Sequence, residues 1–162
     1  MMDQSEEPVE KAIVSLGETY RVLIQNHALQ RELSRSTVSP AEMRLIDDML
    51  SLPDANPKLP IEPFSLCEGV VAMLTVIKAL RSEVAPAIKR ELAGYGREQK
   101  TIARTALQLT ASNLDSNLRI LVDRLADLYG AVSQLDERKS GKAGRIAKRF
   151  PELADPSTWS SG

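Results

Sequence analysis

The sequence predicts an all-α fold, an antiparallel helical bundle with coiled-coil-like long helices, and three observations carry that expectation. The first is a repeat: Leu107, Leu114, Leu121, Leu128 and Leu135 recur every seven residues, and Ala111, Leu118, Leu125 and Val132 each follow four positions after a leucine. Alternating steps of four and three place all of them on one helical stripe. The second is the segment from Gly69 to Leu80, in which only Thr75 and Lys78 are polar; a helix apolar most of the way round is buried on several sides. The third is a pair of helix-start signals, Ser39-Pro40-Ala41-Glu42 and Ser65-Leu66-Cys67-Glu68, each with a capping serine and a glutamate three residues on.

The leucine stripe is wider than a two-stranded zipper needs. With the leucines at d, Val122 and Tyr129 fall at e, so the helix touches more than one neighbour. The g-to-e′ pairs that would set a parallel dimer, such as Asn117 with Val122 and Arg124 with Tyr129, carry no opposite charges. At 162 residues the chain is long enough for one domain with a real core, and with aromatics at 4% that core is built from Leu, Ile, Val, Ala and Met.

Residues 1–7 read as an acidic, disordered lead without a basic-then-apolar leader, with Ser5 capping the first helix and Pro8 in its opening turn. A helix over 8–34 follows, with Ile13, Leu16, Tyr20, Leu23 and Ile24 on one face and Gly17 inside it where another backbone comes close. A short helix over 40–52 presents Met43, Ile46, Met49 and Leu50, and prolines 53, 57, 60 and 63 then make an extended connector over 53–63. The apolar helix spans 65–93 with a kink at Pro86, and Gly94 takes the left-handed position that closes it. The last helix runs over 97–139, and 140–162 is a basic, then flexible, tail. The single domain is thus expected over 8–139.

A straight helix over 97–139 would extend about 65 Å, against about 45 Å for 65–93. Either it bends near Gly130 or its end overhangs. On the second reading Leu125, Leu128, Val132 and Leu135 form an interface for a partner helix or a two-fold homodimer.

Candidate chemistry is sparse. The net charge of −1 gives no overall polyelectrolyte signal, and no apolar run reaches the length of a membrane span, so a cytoplasmic location is expected. One His and one Cys supply neither a zinc site nor a disulfide, and no phosphate loop or nucleophile elbow occurs. Neither enzyme activity nor a cofactor is expected. Cys67, in the opening turn of an apolar helix, reads as a core thiol. His27 continues the spacing 16, 20, 23, 27 and is placed on or beside the buried face. His27-Ala28-Leu29-Gln30 resembles the His-x-Leu-Lys start of histidine phosphotransfer modules, which implies a phosphoaccepting role for His27. Gln30 in place of the lysine, and Arg31 where a glycine clears space for docking, depart from that pattern.

The other charged feature is Arg138, Lys139, Lys142, Arg145, Lys148 and Arg149, six cations in twelve residues. They offer contact to an anionic partner, nucleic acid included, but lack the interleaved aromatics of a single-strand platform and follow the repeat instead of preceding it. The function expected is that of a non-enzymatic interaction protein (an adaptor, chaperone or assembly factor) binding itself or another chain through its helical surface. Phosphotransfer through His27 and nucleic-acid binding through 138–149 are the alternatives.

Overall fold

The computed structural model describes residues 6–57, 60–96 and 101–160, and it is all-α, with no strand among those residues. Two helices, α1 (Glu7–Ile24) and α2 (His27–Ser34), stand where the spacing predicted one. Asn26 causes the break. Its backbone is extended, and its side-chain oxygen accepts from the amides of Ala28 (3.0 Å) and Leu29 (3.2 Å), which starts a new helix. The first helix begins at Glu7, with Glu6 before it making no side-chain cap. Ser5, the expected cap, lies outside the described residues, as does most of the expected lead.

Helix α3 (Pro40–Ser51) carries the predicted capping box in full: Ser39 Oγ accepts from the Glu42 amide at 3.2 Å, and Glu42 Oε1 accepts from the Ser39 amide at 3.3 Å. A short 3-10 turn, Leu52–Asp54, closes it. Helix α4 (Pro63–Ala79) starts two residues before the second box. Glu62 is its cap, its carboxylate accepting from the Phe64 amide at 3.1 Å, so Ser65 lies inside the helix. Pro63 at the first helical position needs no amide donor and is preset for helix, which explains the earlier start.

Ahead of Pro86, where a kink was expected, the helix carries a π-turn at Leu80–Val84, and the Ala85 amide reaches back to the Leu80 carbonyl. The chain then resumes as α5 (Ala85–Gly94). Gly94 is the last residue of α5 and is not left-handed; the only positive-φ glycines among the described residues are Gly141 and Gly144. Helix α6 (Ile102–Ser140) is capped by Thr101, whose hydroxyl accepts from the Arg104 amide at 3.1 Å. The expected start at Arg97 lies outside the described residues.

The stretch Pro63–Gly94 is long and apolar enough to cross a membrane by length and composition, contrary to the sequence expectation, and 67% of its most apolar window is buried inside the fold. A core helix reaches such hydropathy because several neighbours surround it. Here α4 packs against α3 and α6. The close backbone approach expected at Gly17 is found at Gly69 instead. A Cβ at Gly69 would lie 2.8 Å from Met49 Cβ and 2.7 Å from its Sδ, whereas one at Gly17 would meet only the side chains of Arg21 and Leu50.

The seam is buried as its phase requires. Leu107, Leu114, Leu121, Leu128 and Leu135 are all inside, with Leu118, Leu125, Val132 and Val122, while Ala111 and Tyr129 are half-buried. Helix α6 passes Gly130 without interruption. Its far end is not an overhang: Leu125, Leu128, Val132 and Leu135 are at most 1% exposed in the single chain, so they do not form the expected interface. Helix α1 runs beside α6 as far as Lys139, and residues 140–160 add to that cover. Instead of a flexible tail they form α7 (Arg145–Arg149) and two 3-10 turns, Pro151–Leu153 and Pro156–Ser160, and they bury Ile146, Leu153 and Trp159 in the same core. Each such side chain contributes roughly 1.5–3 kcal/mol of burial, so the core extends past the boundary expected at 139.

Candidate interaction surface

Helices α1 and α6 are held in register at both ends. Asn26 Nδ2 donates to Thr110 Oγ1 at 2.7 Å, and at the other end Lys139 Nζ donates to Glu6 Oε1 at 3.2 Å and to the Ile61 carbonyl at 3.0 Å. Glu6, itself buried, also accepts from the Ile61 amide at 3.3 Å, so one carboxylate ties together α1, the proline connector and α6.

Toward the Asn26 end the two helices leave a groove of about 600 Å³. Its floor is Leu23, Leu29 and Leu114, which are buried, and its walls carry Val22, Leu109 and Ile120, which are 71%, 58% and 47% exposed. The polar lining is Thr19, Asn26, Thr110, Asn113 and Asn117, and Glu18 is the only ionisable side chain among the lining residues. Such a surface recognises shape and apolar contact, with neutral donors and acceptors to orient what lies on it; charge steering has little to act on. A signal for it was present in the sequence. Leu109 and Ile120 are eleven residues apart, three helical turns, and both lie off the leucine stripe. Sequence reasoning passed over them because single exposed apolar residues are ordinary on protein surfaces. Only the fold sets Val22 beside them.

The six cations of 138–149 do not form one free patch. Lys139 is held by Glu6 and Ile61, and Arg145 lies 3.6 Å from the buried Asp136 with its guanidinium 4.9 Å from the Phe64 ring centroid. Arg138, Lys142, Lys148 and Arg149 are exposed. His27 is exposed at the first position of α2, not on the buried face, because the break at Asn26 passes that face to Leu29 and Leu33. No group of three or more His, Cys, Asp or Glu placed to hold a metal ion occurs among the described residues.

Two buried groups titrate high. Burial pushes the Cys67 thiol from 9.0 to about 12, with the Asp136 charge adding to it, and burial followed by the Asp47 charge pushes Tyr20 from 10.0 to about 12. Cys67 should therefore resist a maleimide at pH 8 while the chain is folded and react at once in denaturant. Both pKa values are raised, so both groups contribute stability that is full below their ordinary values and lost as pH rises toward 12. The urea midpoint should fall between pH 9 and pH 12. Tyr20→Phe should soften that fall and leave stability at pH 7 unchanged or higher, since the Tyr20 hydroxyl has no hydrogen-bond partner among the described residues. A urea midpoint that is flat across that range would contradict the assignment.

No family model, no curated protein and no solved structure matches this chain.

Proposed function

We propose that this chain is a non-enzymatic interaction protein, an antiparallel helical bundle with coiled-coil-like long helices that binds itself or another protein through its helical surface. The observation that carries the reading is the α1–α6 groove: Val22, Leu109 and Ile120 stand exposed beside a 600 Å³ channel lined almost wholly by apolar and neutral polar side chains. The bundle geometry is supported by register, since Asn26 meets Thr110 while Glu6 meets Lys139, as oppositely directed helices require. An amphipathic helix laid along the groove would bury the three side chains against its own apolar face, the usual helix-in-groove arrangement.

The groove replaces the interface expected at Leu125–Leu135, and its test is direct. Val22→Glu with Ile120→Glu should leave the melting temperature nearly unchanged, because exposed positions seldom move stability by more than about 0.5 kcal/mol. The same double variant should abolish whatever defined complex wild type forms, read by native mass spectrometry after gentle co-purification and by light scattering of the pure protein. If the variant keeps the wild-type complex, the groove is not the binding surface.

A further inference from the structure

We propose that residues 145–160 are an exchangeable strap, and that a second copy of this chain accepts them in the place they occupy in their own. The proposal goes beyond the groove reading and uses a different surface, none of whose residues line the α1–α6 channel.

Besides burying Ile146, Leu153 and Trp159 in the core, the strap is fastened by a small set of polar and ring contacts. Arg145 pairs with Asp136 and lies over Phe64, Phe150 meets Phe64 edge-on at 6.2 Å, Trp159 meets Tyr129 edge-on at 5.7 Å, and Arg81 Nη1 donates to the Trp159 carbonyl at 2.5 Å. Trp159 Nε1 is buried without an acceptor among the described residues, so the docking leaves one donor unpaired. Every one of these contacts can form equally well between copies, which is the condition for domain swapping.

The connection is built as a hinge. Helix α6 ends because Gly141 takes φ +72°, and α7 begins after Gly144 at φ +78°, with only Lys142 and Ala143 between them. Nothing lies within 4 Å of where a Cβ would stand at either glycine, so the break rests on their left-handed backbone and on Ser140 Oγ, which accepts from the Lys142 amide at 3.1 Å and donates to its carbonyl at 3.2 Å. If all four residues 141–144 took helical angles, α6 and α7 would become one helix. Ile146 stands fourteen residues after Val132, in the phase of Leu118, Leu125 and Val132, and the joined helix would keep the seam's apolar stripe. Two such helices crossing antiparallel about a two-fold axis between residues 140 and 141 set Arg145 of each copy opposite Asp136 of the other, the ion pair that closes the single chain.

Single-cysteine chains test this in the protein as it stands. In a Cys67→Ser background, one chain carries Asp136→Cys and another Arg145→Cys, and the two are refolded together at high concentration and oxidised. An interchain disulfide joining position 136 of one chain to position 145 of the other is expected, absent when either chain is refolded alone. With Gly141→Ala and Gly144→Ala in both chains, the linked fraction should rise at least tenfold, since alanine disfavours positive φ and favours helix. The same two alanines in the otherwise native chain should give a dimer by light scattering with Trp159, the only tryptophan, still emitting as a buried indole. No interchain link between the wild-type-hinge chains overturns the proposal. So does a folded double-alanine variant that stays monomeric, whether Trp159 is buried or exposed. Where the alanine variant fails to fold, the wild-type-hinge cross-link decides alone.

Discussion

Leu121→Glu should leave the chain unfolded, or molten, at room temperature. Leu121 is 0% exposed at the middle of α6, the helix that packs against α1, α4 and α5. The substitution forfeits roughly 2 kcal/mol of apolar burial. It then asks a carboxylate to enter the apolar core, which costs several kcal/mol more or forces the group to protonate. A domain of this size holds only about 5–15 kcal/mol in all. Circular dichroism and thermal melting check it: loss of a cooperative transition is expected, and a variant that melts as wild type does would show that the stripe is not the core.

The second large effect belongs to Gly69. Replacing it with valine should cost several kcal/mol, through contact alone. A Cβ there falls 2.8 Å from Met49 Cβ, and that atom is fixed by the α3 backbone and cannot rotate away as the Sδ at 2.7 Å can. Overpacking of this kind costs about 1–3 kcal/mol for each misfit group. Valine also brings two further methyls and a helix propensity below that of alanine. Gly69→Ala is the informative control. Alanine gains about 1 kcal/mol of helix propensity over glycine, so a net destabilisation means that separating α3 from α4 outweighs it. Adding Met49→Ala should rescue either variant only in part, because it removes Sδ and leaves Cβ in place. Full rescue, or a Gly69→Val chain with the wild-type urea midpoint, would mean that the two helices part without loss.

The local contrast between Gly17 and Gly69 shows where sequence reasoning stopped. Both are helical glycines within apolar stretches, and nothing in the residues beside them says which one faces another backbone. That depends on how α3 crosses α4, a relation between segments some twenty residues apart.

Period and capping chemistry were legible because they act within one or two turns. The leucine phase of α6 placed its buried stripe correctly from Leu107 to Leu135, and Ser39 with Glu42 began α3 as written. The same short-range rules erred where two signals competed. Pro63 with Glu62 prevailed over the Ser65 box, and Asn26 divided a helix whose apolar spacing ran straight through it, carrying His27 to the surface. Of the proposed interaction surface, Leu109 and Ile120 were visible as off-stripe residues three turns apart, but their company with Val22 was not.

That the chain is helical, and that one face of α6 is buried, follows from the residues alone, since backbone propensity and the 3.6-residue period dictate both. What covers that face was settled in three dimensions. The sequence spacing left Leu125, Leu128, Val132 and Leu135 bare and made 140–162 a loose end, because Ile146, Leu153 and Trp159 are too widely spaced, and too interrupted by Gly141, Gly144 and Pro151, to register as an element. Folded back by two left-handed glycines, those three side chains join α1 and α4 in packing against α6, a burial that depends on contacts between segments far apart in the chain.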